Sequence, residues 1–119
     1  MRLWTLDIAR EQAPTDDHFQ QYADLTRDAG FDGIGLYLEH RFAYPSMPWV
    51  AGQGAVTPEM VARLEAANPD LQIIPFINLL AHVEGFIYTE PGKGWAEERM
   101  KGLQACACNA DFLAAGRAI

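Results

Sequence analysis

Asp7, Arg10, Glu39, Asn78, His82 and Glu84 are the side chains of this sequence whose types and spacing could do chemistry. They fall in three stretches, LWTLDIAR (3–10), IGLYLEHRF (34–42) and LQIIPFINLLAHVEG (71–85). In each, an apolar run ends in polar or charged groups. Polar groups just past the carboxyl end of a buried parallel strand are where α/β enzymes place their sites. Three such ends in one chain point to one shared pocket. Arg10 carries a planar fork of donors suited to two adjacent hydroxyls or to a carboxylate. It can equally pair with a neighbouring carboxylate and hold loops together. Asp7, on a mostly apolar strand, must be hydrogen-bonded or paired if it faces a barrel interior. It can serve as the partner of Arg10 or touch substrate. Glu39, beside His40 and Arg41, could bind a sugar hydroxyl or a metal, or belong to a solvated charge cluster. His82 could be a base, a metal ligand or a donor to substrate. Trp49, Tyr44 and Trp95 have flat faces that suit the apolar faces of pyranose rings, though for any single one of them loop packing is the favoured reading.

Other chemistries lack their motifs. The G-x-G at 33–35 lies inside a strand, and the one at 52–54 is followed by no lysine. There is no phosphate loop and no Gly-x-Ser-x-Gly elbow. The net charge is −7 and the nine Lys and Arg residues are scattered, which argues against nucleic acid as a partner. An acidic surface fits a neutral ligand. No apolar run has the length of a membrane span, and the N-terminus lacks the pattern of a signal peptide. The expectation is a chain outside the membrane, cytoplasmic by default. Cys106 and Cys108 are two apart, which is neither a metal-binding nor a redox spacing, and read as reduced core or loop residues.

The elements that must position these groups follow from pattern. With 119 residues, half of them hydrophobic, the chain makes at most one globular domain. Residues 3–8 read as a strand. Thr15 caps a helix with Asp16 and Asp17 in its first turn, and Gly30 ends it. Phe19, Tyr22, Ala23 and Thr26 form its apolar stripe, flanked by Leu25 and Ala29. Residues 33–38 are the second strand, and 40–56 a long loop. Thr57-Pro58-Glu59 opens a second helix with Met60, Val61 and Leu64 inward, and Asn68-Pro69 ends it. Residues 71–77 are the third strand. An irregular stretch, 79–101, leads to a short extended segment at 103–108 and a last helix capped by Asn109 or Asp111. The order β-α-β-α-β predicts parallel strands joined by crossovers. With helices on one side only, the sheet's other face is left open, and parallel sheets bury both. Self-association or the remainder of a longer β/α protein would cover it.

Taken together, LDIAR, YLEHRFAYP, GAVTPEM and IPFINLLAHVEG resemble the N-terminal part of the catalytic (β/α)8 barrel of family 20 glycoside hydrolases, the β-N-acetylhexosaminidases. The family's first strand ends in Leu-Asp-x-x-Arg, matched by Leu6, Asp7 and Arg10. Its third reads Ile-Pro-Glu-x-Asp-x-x-Gly-His, followed in outline by Ile74, Pro75, Ile77 and His82. ACNADFLAAG resembles the start of the family's third helix. Phe76, Asn78 and Ala81 stand where the family has Glu, Asp and Gly, and Glu39-His40 replaces His-x-x-Asp after strand two.

The resemblance implies an α/β fold of parallel βα repeats. Residues 1–119 would make about the first three βα units of a partial TIM (β/α)8 barrel. It implies hydrolysis of terminal N-acetylhexosamine by a substrate-assisted retaining mechanism. Arg10 and His82 would bind the sugar, with Glu39, Asp7, Asn78 and Trp49 in support, and no metal or organic cofactor. The catalytic Asp-Glu pair follows the family's fourth strand and has no counterpart here, so this chain alone is expected to be inactive. Two other readings stay open. One is a metal-dependent barrel hydrolase or isomerase using His82, Glu84, Glu39 and Asp7. The other is a non-catalytic self-associating or sugar-binding module.

Overall fold

The computed structural model describes residues 1–8, 14–50, 55–78, 83–98 and 104–119, with Glu84 in backbone only. Five-residue strands β1 (Leu3–Asp7), β2 (Gly33–Tyr37) and β3 (Gln72–Phe76) alternate with helices α1 (Asp16–Asp28) and α2 (Pro58–Ala67). Short helices α3 (Glu84–Ile87) and α4 (Ala110–Arg117) follow, with 3-10 turns at Glu39–Arg41 and Lys93–Trp95. The sheet is parallel, in the order β1-β2-β3. The expected α/β organisation of parallel βα units is therefore present.

Local signals place the helix ends. Thr15 accepts from the His18 N–H at 3.3 Å, while His18 Nδ1 accepts from the Thr15 N–H at 3.2 Å. This is a capping box with histidine in the place of the usual Glu or Gln. At the other end of α1 the cap is Ala29, and Gly30 is one residue beyond it at φ +71°. The Phe31 N–H reaches Thr26 O at 2.9 Å and the Gly30 N–H reaches Arg27 O at 2.8 Å. That Schellman pairing requires the left-handed backbone that glycine adopts without strain. Thr57 caps α2 at 3.3 Å to the Met60 N–H, and Asn109 caps α4 at 2.9 Å to the Phe112 N–H.

Strand alternation sorts the sheet into two faces. Leu6, Ile8, Ile34, Leu36 and Leu38 point to one side, where Phe19 and Ala23 of α1 and Leu64 of α2 close over them as the main core. Both helices pack on this face. Met60 and Val61 sit at its margin and Leu25 faces out, so the inward stripe of α1 is narrower than its sequence pattern. Asn68 does more than stop α2. Fully buried, it donates to Leu64 O at 2.8 Å and to Gln20 Oε1 at 3.2 Å, and accepts from Gln20 and Arg27. Arg27 also reaches Asp70 at 2.7 Å. A buried amide so fully partnered ties α1 to α2, and removing one partner would strand the others.

The opposite face carries Thr5, Asp7, Gly35, Tyr37, Ile74 and Phe76 in register. No helix covers it among the described residues, and Asp7 and Phe76 are exposed.

A second core builds beyond the strand ends from Tyr44, Met47, Val50, Val83, Phe86, Ile87, Trp95, Ala105 and Phe112. Phe42 and Ile77 touch both cores. The loop after β2 is pinned where it returns: Phe42 bridges Val56, with backbone bonds Ala43 N to Val56 O at 2.8 Å and Val56 N to Arg41 O at 2.7 Å. The stretch expected to be irregular contains α3 and the Lys93–Trp95 turn in its described part. Elements of three or four residues are too short to show a period, so packing onto Phe86 and Trp95 decides them. Ala105 bridges Ala96 antiparallel, in line with the short extended segment expected there. Cys106 is half-buried, Cys108 exposed, and both are free thiols. Among the described residues no helix is long and apolar enough to cross a membrane.

Candidate functional site at the carboxyl ends of the strands

Asp7, Tyr37 and Phe76 are register partners at the ends of adjacent strands, with Glu39 and Asn78 two residues beyond β2 and β3. Neighbouring strands run about 4.8 Å apart, so these groups meet at one end of the sheet. Tyr37 is the hub. Its hydroxyl lies close to the Glu39 carboxylate and the Asn78 side chain, in the field of Asp7. The Glu39 carboxylate, an acceptor for the neutral phenol O–H, raises the Tyr37 pKa above its ordinary 10.0, with desolvation adding to the effect. The Asn78 amide pulls it down, as a donor to the phenol oxygen must.

Glu39 is held in an unusual way. It is 4% exposed and sits at φ +42°, the one described non-glycine residue in the left-handed region. Such a backbone costs on the order of 1 kcal/mol and persists where surrounding structure over-determines it, often at functional sites. The surroundings are visible. Tyr44, 3% exposed, donates its hydroxyl to Glu39 O at 2.8 Å, and the Arg41 N–H closes the turn onto Leu38 O at 3.0 Å. Burial first, and the Glu39 charge second, push the Tyr44 phenol far above its ordinary value. Across the turn the His40 ring lies against the α-carbon of Gly85 in α3, where a side-chain carbon would not fit. α3 is thereby packed against the turn after β2.

The sequence-predicted residues divide accordingly. Asp7, Glu39 and Asn78 come together. Arg10 and His82 lie outside the described residues. Glu84 opens α3. Trp49 is half-buried and packs against the second core, its ring edge-on to Trp95 at 5.4 Å. Tyr44 and Trp95 are buried there, at 3% and 8% exposure. Loop packing, the favoured reading for each of them singly, is what Tyr44 and Trp95 show, while Trp49 keeps part of its surface exposed. Tyr37 is the group that sequence reasoning missed. Its signal was parity, because a residue paired with Asp7 shares its face. Among the described residues no three His, Cys, Asp or Glu side chains converge as a metal site.

Chemically, the cluster offers two carboxylates as acceptors, one amide and one phenol able to give or take a proton. The Tyr37 pairing has a sign that can be measured. Because its folded pKa lies above the unfolded one, it contributes stability that is complete below about pH 10 and is lost as pH rises through the folded pKa. Glu39→Gln should lower the Tyr37 pKa and Asn78→Ala should raise it. NMR titration of tyrosine labelled at Cζ checks both; equal pKa values in all three proteins would break the assignment.

Compared with known proteins, the chain matches no family model and no curated protein.

Proposed function

We propose that this chain is the sugar-binding part of a glycosidase resembling the family 20 β-N-acetylhexosaminidases, built as the first βα units of a (β/α)8 barrel. The observation that carries the reading is the meeting of Asp7, Tyr37, Glu39 and Asn78 at the carboxyl ends of three consecutive parallel strands. In barrels that end holds the active site. Strand order β1-β2-β3 with both crossover helices on one face is the arrangement that consecutive βα units of a barrel have. The open face would then be the barrel interior.

In this reading the cluster recognises a neutral, hydroxyl-bearing ring. Asp7 and Glu39 accept from hydroxyls, and Asn78 both donates and accepts. Arg10 and His82 add donors from the loops after β1 and β3. The Asp-Glu pair that works on the 2-acetamido group in the family belongs to a fourth strand, and no residue of this chain takes that role.

The test is a titration of the isotope-labelled chain with N-acetylglucosamine, followed by amide NMR. Shifts should concentrate at residues 37–39 and at the Asn78 side chain, and Asn78→Ala should weaken binding about tenfold, as expected for one lost hydrogen bond of about 1.4 kcal/mol. Silence at every soluble sugar concentration would remove the sugar reading. Shifts at Asp7 and Glu39 with zinc or manganese, and none with sugar, would put the metal-dependent enzyme in its place.

A further inference from the structure

Phe76 occupies an unusual position for a large apolar side chain. It ends β3 on the open face, 41% exposed, in register with Asp7 and Tyr37. Beneath it, on the neighbouring strand, is Gly35. A Cβ added there would come within 2.5 Å of Phe76 Cε2 and 3.1 Å of Cδ2, so that edge of the ring rests on the glycine backbone. The same added carbon would be 3.5 Å from Thr5 Oγ1. The missing side chain at 35 leaves room for that ring edge, one strand position from the phenol and two residues before Asn78. The result is an aromatic surface bordered on one side by hydrogen-bonding groups.

That arrangement matches one ligand geometry. A pyranose ring has a face of axial C–H bonds and an edge of hydroxyls. An aromatic ring receives the first, while carboxylates, amide and phenol receive the second. The acidic border and the net charge of −7 favour a neutral ring over an anionic one. We infer that Phe76, seated on Gly35, is the stacking platform of the sugar site and selects rings whose C–H bonds line one face. This rests on the sugar-binding reading above and adds to it the residue that sets ring selectivity. Tyr44 and Trp95 do not compete for the role, being buried in the second core.

The experiment is saturation-transfer NMR on the chain, deuterated except at phenylalanine, with methyl β-N-acetylglucosaminide. Transfer should be strongest to the axial hydrogens of one ring face. Phe76→Ala should abolish that pattern and weaken binding about tenfold, while Phe76→Tyr retains both. Because Phe76 is on an open face, its truncation leaves the main core intact; an unchanged amide spectrum elsewhere establishes that. If Phe76→Ala binds like the parent while Asn78→Ala is weakened, the platform is wrong and the polar site stands. If the parent chain binds no sugar, both fail. If Phe76→Ala instead abolishes concentration-dependent self-association seen by light scattering, the ring belongs to an interface between copies and the platform is overturned.

Discussion

Phe19→Ala is expected to lower the stability of this chain by about 3–5 kcal/mol, the usual range for truncating a fully buried phenylalanine. Phe19 is 1% exposed and joins Leu6, Ile34, Leu36 and Leu64 in the one core that fastens α1 and α2 to the sheet. The loss combines the transfer free energy of the ring with the cost of the cavity it leaves. A domain of this size has about 5–15 kcal/mol in all, so the variant should lose a large share of its stability. Leu25→Ala, on the same helix but 51% exposed, should cost no more than about 0.5 kcal/mol. Urea unfolding of the two variants gives the comparison through their midpoints at unchanged slope. Similar losses for both would mean that α1 is rotated about its axis relative to the structure.

Gly85→Ala should be nearly as costly, about 3 kcal/mol, and it should reach the site. An alanine methyl there would overlap the Cβ and Cγ of His40 as well as its ring. A flexible side-chain tip could swing aside, but a Cβ can yield only if its backbone moves. The backbone in question is the Glu39–Arg41 turn, already at φ +42° at Glu39. Overpacking of this kind costs about 1–3 kcal/mol by itself, and the turn's existing strain leaves little room to relax. The expected signature is therefore double: a lower unfolding midpoint, and a Tyr37 pKa moving back towards 10.0 as its bond to Glu39 loosens. A destabilised protein with an unmoved Tyr37 pKa would show that α3 supports the fold without positioning Glu39.

How much of this was legible beforehand depends on the range of the interaction. Thr15, Thr57 and Asn109 cap their helices as their types and places require, because a cap needs only the next three residues. Gly30 is read correctly for the same reason. The alternation of Leu6, Ile8, Ile34, Leu36 and Leu38 with smaller or polar residues defines the core face. Asp7, Glu39 and Asn78 could be named as a group because a parallel βα repeat brings successive strand ends side by side.

The misses share a cause. The role of Tyr37 needs the register of β2 against β1 and β3, which brings Asp7 and Asn78 beside it from other segments. The second core needs Tyr44, Trp49, Trp95 and Phe112 to meet across long stretches of chain, with no period to announce it. Asn68 looks in sequence like a helix stop, and only its burial against Gln20 and Arg27 shows the clamp. By itself the sequence determined the order of elements, their ends, which sheet face is apolar and which strand ends carry charge. All of these are set by neighbours along the chain. Tertiary structure alone decided that Tyr37 joins the carboxylates, that Tyr44 and Trp95 are buried in a second core, and that Phe76 lies exposed over Gly35. Each depends on which distant residue arrives opposite, and strand register and loop packing settle that in space.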